Sequence, residues 1–353
     1  MRCGTRLIGC VGMMTMVALA MGASAAMGGP IRYTVKELPD GFQPTAMSGN
    51  GYIVGYDVGA QANALYYNGN LTYLNHTPSQ PWIGNDRALA VNNSGQVGWQ
   101  SDDVSVLNNS GQAAGIHYST DWSPFTRNMD GSEVTIPSPI LGRSVEPWGI
   151  NDGGEVVGWM GASGGGHPLL YQNGQSIDLG LLPGAQGATA FDVNNAGQVV
   201  GGARGDYSHP FLWDSGKLYD LGTLGGIQGA ARSINDKGQI VGWASTIDSE
   251  HAFLYESGRM FDLNDLIAPG GPILISAFGI DERGDIAVRG IQGSHDSYYL
   301  LTPMATAVPE PSGLVLTLTF LITVTATRVA SRKVRSHHGK ARTPQPASHR
   351  DGP

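Results

Sequence analysis

The stretch Ile234-Asn235-Asp236-Lys237-Gly238-Gln239-Ile240-Val241-Gly242-Trp243 decides the fold, because the chain repeats it at a nearly constant distance. The same phrase stands at Ile150 to Trp159 and at Val193 to Gly201, and weaker copies begin at Met47, Val91, Leu107 and Ile280. The marker glycines of the copies are Gly51, Gly95, Gly111, Gly154, Gly197, Gly238 and Gly284, with spacings of 44, 16, 43, 43, 41 and 46 residues. A period of this length indicates a repeat architecture.

Each repeat is predicted to contain four short strands. In the clearest unit the strands are Ala188–Val193, Gln198–Gly202, His209–Trp213 and Lys217–Gly222. The first two are joined by a hairpin loop, Asn194 to Gly197. Asn at its start can bond the backbone two residues on, and Gly adopts a left-handed conformation at little cost. The residues predicted to maintain these turns are Asn151, Gly154, Asn194, Gly197, Asn235 and Gly238.

Four strands in 40 to 45 residues is typical of a β-propeller blade. The sequence therefore predicts an all-β chain, a propeller of about six four-stranded blades with seven as the alternative. The alternative arises because Ala88 to Pro139 holds two markers only 16 residues apart, either one irregular blade or an eroded pair. We expect the strand at Tyr33–Leu38 to complete the last unit, Ala277–Leu301, and so close the ring and remove exposed sheet edges.

Composition and charge exclude one class of partner. From Ile31 to Ala307 the chain has twelve Lys and Arg against 27 Asp and Glu, a net charge of about −15. A groove for nucleic acid requires positive charge, so we expect no nucleic-acid partner. The two cysteines, Cys3 and Cys10, both lie near the N-terminus, so a chain without this segment would have no disulfide.

The N-terminus has the pattern of a secretory signal peptide. Arg2 and Arg6 precede an apolar run, Leu7–Met21, and small residues follow, with cleavage expected at Ala25 and Ala26. The alternative of a lipoprotein box at Leu7 to Cys10 is disfavoured, because the apolar run follows that box instead of preceding it. Signal peptidase is therefore an expected processing partner.

The C-terminus carries a second targeting pattern. Val308-Pro309-Glu310-Pro311 precedes an apolar run, Leu314–Thr327, and Arg328 and Arg332 begin a basic tail. An apolar segment followed by basic residues indicates a membrane stop with the preceding domain outside. We thus expect a signal peptide at 1–26, a propeller at 31–303, a linker at 304–313, a single hydrophobic transmembrane or sorting helix at 314–327 and a basic polar tail at 328–353.

The order Pro309-Glu310-Pro311, short apolar span and arginine cluster resembles the PEP-CTERM sorting signal. The resemblance implies recognition by an exosortase, transient anchoring in the inner membrane, and delivery to the cell surface or extracellular matrix. This chain departs from the pattern in its 18 residues after Arg335, so a plain membrane anchor is the alternative.

The repeats resemble the HAF-type extracellular repeat over about Val145–Leu266. The His-Ala-Phe triplet is intact at His251 and altered at His167 and His209, and Asp-Leu-Gly-Thr-Leu-Gly-Gly stands whole at Asp220–Gly226. The resemblance implies secretion and repeats, and no enzyme activity.

Three recurring residue types are candidates for chemistry. His167, His209 and His251 recur one period apart, as do Asp178, Asp220 and Asp262. Residues one period apart lie on different blades, so we expect each histidine to bond within its own blade and each aspartate to shape a turn, without a bound metal or other cofactor. The tryptophans in less regular stretches could form a sugar-stacking surface: Trp82, Trp122 and Trp148.

We therefore expect a non-enzymatic structural or binding protein of the cell surface or extracellular matrix. Its expected partners are extracellular polysaccharide or other surface proteins. The alternatives are a carbohydrate-active propeller enzyme (hydrolase or lyase), a membrane-anchored binding protein facing the periplasm, and a rigid spacer. A channel holding two carboxylates at catalytic separation would favour the enzyme, and an axis plugged by apolar side chains would favour the binding protein.

Overall fold

A computed structural model describes residues 31–75, 87–117, 122–140, 142–161 and 165–304. The predicted signal peptide, the hydrophobic helix and the basic tail lie outside these residues. So do the predicted processing residues Ala25, Ala26, Pro309, Glu310, Pro311, Arg328 and Arg332. Within the described ranges, no helix has the length and hydropathy needed to cross a membrane.

The described residues form 26 strands. In the first half they are β1 Tyr33–Glu37, β2 Phe42–Met47, β3 Ile53–Asp57, β4 Ala62–Tyr67, β5 Asn70–Tyr73, β6 Ala88–Val91, β7 Val97–Trp99, β8 Val104–Leu107, β9 Ala113–His117, β10 Ser123–Arg127 and β11 Glu133–Thr135. In the second half they are β12 Ser144–Ile150, β13 Val156–Gly161, β14 His167–Gln172, β15 Gln175–Asp178, β16 Gly187–Val193, β17 Val199–Arg204, β18 Pro210–Asp214, β19 Lys217–Asp220, β20 Gly229–Ile234, β21 Ile240–Ser245, β22 Glu250–Glu256, β23 Arg259–Asp262, β24 Ile273–Ile280, β25 Ile286–Gln292 and β26 His295–Pro303. Two short 3-10 turns accompany them, at Gln100–Asp102 and Leu263–Leu266.

The strands form six four-stranded antiparallel sheets, which confirms the predicted propeller of six four-stranded blades. The sheets are β2–β5, β8–β11, β12–β15, β16–β19, β20–β23 and the closing sheet β1-β26-β25-β24. An additional two-stranded sheet, β6–β7, lies between the first two of these in the chain. The region with two close markers is therefore the eroded pair, a short sheet followed by a full blade.

The ring is closed by its N-terminal strand, as the sequence predicts. Strand β1 pairs antiparallel with β26, with Tyr33 opposite Pro303 and Glu37 opposite Tyr299. The backbone N–H of Leu38 also donates to the Tyr298 carbonyl at 2.8 Å. The first residues of the domain thus complete the blade built by its last residues, which leaves β26 with a partner on both sides.

The hydrophobic core lies between adjacent blades. One cluster joins Val157 and Leu170 of one blade to Ala190, Val199 and Phe211 of the next. Each four-stranded sheet has apolar residues on both faces, so it must be covered by a neighbour on each side. Stacking the blades around an axis satisfies this requirement for every sheet.

Hydrogen bonds between successive Asn-x-x-Gly turns connect the blades at one face, which we call the turn face. The first Asn of each turn donates from Nδ2 to the carbonyl of the equivalent residue in the next unit. The distances are 3.1 Å for Asn92 to Asn108, 2.9 Å for Asn108 to Asn151, 3.0 Å for Asn151 to Asn194, 3.1 Å for Asn194 to Asn235 and 3.0 Å for Asn235 to Asp281. The asparagines are buried, so these bonds satisfy polar groups that water cannot reach.

The next residue of each turn adds a second, outer layer. Its backbone N–H donates to the side-chain oxygen of the equivalent residue one unit on, from Asn93 through Asn109, Asp152, Asn195 and Asp236 to Glu282, at 2.8 to 3.0 Å. Glu282 N–H then donates to the Gly49 carbonyl at 2.9 Å, and Asn50 N–H donates to Asn93 Oδ1 at 2.7 Å. The outer layer is therefore a closed circle of seven units, in which the two-stranded sheet β6–β7 occupies a full place.

Candidate binding channel

Each of the seven inner strands carries a β-bulge at the same distance from its turn. The pairing register skips one residue in β2, β6, β8, β12, β16, β20 and β24. The skipped residues are Thr45, Leu89, Ser105, Trp148, Phe191, Arg232 and Phe278, each three positions before the first residue of its turn. A bulge re-aims the side chain of its extra residue, and all seven residues line a central channel of about 840 Å³.

Three adjacent bulge residues form a continuous wall, which we call the aromatic–arginine wall: Trp148, Phe191 and Arg232. The rings of Trp148 and Phe191 meet edge to face, with centroids 6.0 Å apart and planes at 88°. The Arg232 guanidinium lies over the Phe191 ring, 4.3 Å from its centroid. Trp148 is 49% exposed, so the wall presents a large apolar surface to the channel.

The bulge residues of β2, β6 and β8 are smaller. Thr45, Leu89 and Ser105 leave space facing the channel, and the Thr45 hydroxyl is bonded to the framework, donating to the Ala88 carbonyl at 2.7 Å. Phe278, the seventh bulge residue, is held edge to face by Tyr298 at 5.9 Å. The channel is thus asymmetric, with large side chains concentrated on consecutive blades.

Asp192 fixes the two strands that carry Phe191 and Arg232. Its Oδ2 accepts from the Ser233 hydroxyl and from the Ile234 N–H, both at 2.9 Å, and its Oδ1 accepts from the Val193 N–H at 2.9 Å. Burial raises the pKa of Asp192 to about 6, although the three hydrogen bonds act in the opposite direction. The carboxyl group therefore acts as a tether between β16 and β20.

The charge of Arg232 has no acidic partner among the described residues. Other arginines of the domain do have one, as in the pairs Arg127–Glu133 and Arg289–Asp296. Burial, and secondly the positive charge of Arg204, lower the pKa of the Arg232 guanidinium. The wall therefore ends in a cation that the described part of the protein leaves uncompensated.

The channel mouth at the turn face is acidic. Asp152, Asp236 and Glu282 belong to the outer circle of hydrogen bonds and line this end of the channel. Burial raises the pKa of Glu282, and Lys237 Nζ donates to its backbone carbonyl. Arg204 ends β17 at the opposite face but does not line the channel, whereas Glu146 does.

The recurring histidines lie on the third strands, or next to them, and bond within their own blades. His167 Nδ1 is 2.8 Å from Asp178 Oδ2, His209 Nδ1 is 2.8 Å from Asp220 Oδ2, and His251 Nδ1 is 2.6 Å from Asp262 Oδ2. The other oxygen of each aspartate accepts a backbone N–H two residues on, at 2.8 to 2.9 Å. These pairs join the third strand of a blade to the end of its fourth, away from the channel.

The predicted turn residues stand where the sequence places them. Asn151, Asn194 and Asn235 begin the turns, and Gly154, Gly197 and Gly238 have φ values of +75° to +78°. No cluster of three or more potential ligand side chains that could hold a metal ion occurs within the described ranges.

Of the proposed stacking tryptophans, Trp148 lines the channel, Trp122 is exposed on another blade, and Trp82 is outside the described residues.

Sequence reasoning missed Phe191, Arg232, Glu146 and Asp192 as channel residues. A signal was available: three positions before the first Asn of each turn stand Trp148, Phe191 and Arg232. The bulge that turns this position inward could not be inferred from an alternating strand pattern. The propeller axis holds an open channel. An axis plugged by apolar side chains, which we expected of a binding protein, is therefore not what the described residues form.

No protein-family model matches the chain, and no curated protein matches it. Among solved structures, YCF48 bound to D1 peptide is 12% identical, with a TM-score of 0.49, covering 79% of this chain and 97% of that one. A putative gluconolactonase is 15% identical, with a TM-score of 0.41, covering 77% and 92%. The β-propeller domain of the Trilobed protease from Pyrococcus furiosus is 7% identical, with a TM-score of 0.44, covering 75% and 94%. Similarities this distant give no guide to function.

Proposed function

We propose that the protein is a non-enzymatic binding protein whose ligand occupies the central channel. The observation that carries the proposal is the aromatic–arginine wall of Trp148, Phe191 and Arg232, built by bulges on three adjacent inner strands. Ligand sites are concave and largely apolar, with a few well-placed polar groups. An open channel of about 840 Å³ with such a wall has this character.

Two of the carboxylates that line the channel differ in their hydrogen bonding. Glu146 and Asp192 both line the channel, and glycoside hydrolysis requires two carboxyl groups free to act on the substrate. Both Asp192 oxygens accept hydrogen bonds from the backbone or from Ser233. Only the Glu146 side chain of this pair has no hydrogen bond to another described residue, and Asp152, Asp236 and Glu282 also line the channel, so the products released by the wild-type protein decide between binding and hydrolysis.

The proposal is tested by retention of surface material on the immobilised protein. Polysaccharide extracted from the surface of the native host is passed over the wild-type protein, the Trp148→Ala variant and the Trp243→Ala variant. Trp243 is a matched control, because it is a half-buried tryptophan on a second strand. We expect Trp148→Ala alone to lose retention. Release of shortened sugar products by the wild-type protein would instead establish the enzyme.

We further propose that the protein is secreted and sorted to the cell surface or matrix by an exosortase. The support is the sequence pattern at both termini, with Arg2 and Arg6 before an apolar run and Pro309-Glu310-Pro311 before another. The test is the intact mass of the protein recovered from each fraction of its host. A surface form lacking about 25 N-terminal residues and everything after Pro311 is expected. An inner-membrane form that retains Arg328 to Pro353 would establish a plain anchor.

A further inference from the structure

We propose that the channel ligand is an anionic carbohydrate, with one sugar ring seated on Trp148 and a carboxylate of the same ligand held by Arg232. This inference rests on the proposed function, since it names the ligand class of the same channel. It is carried by the geometry of the wall and the uncompensated charge at its end.

The Arg232 guanidinium is held by an aromatic ring and by no acid of the described residues. Its contact with the Phe191 ring, at 4.3 Å, places a planar group over a planar ring. A guanidinium held by a ring keeps its edge N–H donors available, and these match the two oxygens of a carboxylate. With no acid of the described residues within ion-pair distance, a ligand carboxylate would supply the missing charge.

Trp148, which contacts Phe191 on the neighbouring blade, suits a sugar ring. One face of a pyranose carries mainly C–H groups, while its rim carries hydroxyls, so a flat apolar surface bordered by polar groups matches both parts. Trp148 supplies a half-exposed surface at 49% exposure. The Glu146 side chain lines the same channel without a hydrogen bond to any other described residue, so it is available to accept from hydroxyls.

The test uses calorimetric titration of the purified protein with tetragalacturonate and with its methyl ester, which has the same rings without the charge. We expect the ester to bind the wild-type protein at least tenfold more weakly. Arg232→Gln should weaken binding of the acid by a similar factor and abolish the difference between the two ligands. Arg232→Lys, which keeps the charge but not the planar fork, should fall between them.

Arg259→Gln is the matched control, because the Arg259 guanidinium lies over Phe261 at 5.1 Å on an outer strand. The Arg259→Gln variant should bind the acid within twofold of wild type. Its melting temperature, compared with that of wild type, shows how much the loss of an arginine–phenylalanine contact destabilises the fold. Equal binding of acid and ester, or unchanged binding by Arg232→Gln, would overturn the inference. So would the absence of uronate binding, or preference for a peptide carboxylate.

Failure of this inference is distinguishable from failure of the proposed function. If uronates do not bind but host polysaccharide is still retained in a Trp148-dependent manner, the channel is a binding site for another ligand. If retention depends on neither Trp148 nor Arg232, the channel is not the site and both proposals fail.

Discussion

Truncation of one buried asparagine should weaken the whole ring, and Asn194→Ala is the variant that shows this best. Asn194 is 4% exposed and makes four hydrogen bonds with its side chain. Its Nδ2 donates to Gln198 Oε1 at 2.9 Å and to the Asn235 carbonyl of the next blade at 3.1 Å. Its Oδ1 accepts from the N–H groups of Ala196 and Gln198 at 3.1 and 3.0 Å.

The magnitude follows from these bonds. A typical intramolecular hydrogen bond contributes about 1 kcal/mol, and more when its loss leaves a buried group unsatisfied. Alanine leaves the Ala196 N–H and the Gln198 N–H without their partner, and it removes one of the two donors to the Asn235 carbonyl. We therefore expect Asn194→Ala to lower the free energy of unfolding by about 3 to 4 kcal/mol.

The neighbouring Asn195→Ala is the matched control. Asn195 also makes hydrogen bonds to both adjacent blades, at 2.8 to 3.2 Å, but all of them are exposed. We expect it to lower the free energy of unfolding by less than about 1 kcal/mol. Urea unfolding followed by circular dichroism measures both variants. Equal loss in the two would refute the claim that the buried layer holds the turns together.

Two further predictions concern buried carboxyl groups. Arg283→Gln removes the partner of Asp281, which is fully buried and 2.7 Å from Arg283. It should cost about 3 kcal/mol in urea unfolding, whereas Arg289→Gln, at the exposed pair with Asp296, should cost under about 1 kcal/mol. Equal costs would contradict this. The pKa of Asp192 is raised from 3.8 to about 6, so its ionisation is harder in the folded state. The stability it contributes is therefore present below pH 4 and lost as pH rises through 6, by up to about 3 kcal/mol. Asp192→Asn should remove that slope between pH 4 and 8, and parallel pH profiles for the two proteins would show that Asp192 does not titrate in this way.

The sequence predicts the blades well because their determinants are local. Each turn is set by an Asn and a Gly three positions apart in the chain, as at Asn194 and Gly197, and each strand by its own apolar pattern. Closure by Tyr33–Leu38 was also predictable, because the last unit lacks a strand that the first residues can supply.

The channel was less predictable, because its determinants are relations between blades. Trp148, Phe191 and Arg232 are 41 to 43 residues apart and meet only because three bulges aim them at one axis. The role of Asp192 likewise depends on Ser233 of the next blade. An alternating pattern assigns such residues to a strand face and does not identify the axis they line.

The claim that the channel is the binding site is tested most directly by filling it. Ser105 is a small bulge residue that lines the channel but does not belong to the aromatic–arginine wall. Ser105→Trp should leave the wall intact and block the space before it. Retention of host surface polysaccharide by this variant, compared with wild type at equal melting temperature, is the measurement. We expect retention to be lost. Undiminished retention by a folded Ser105→Trp protein would show that the ligand binds elsewhere.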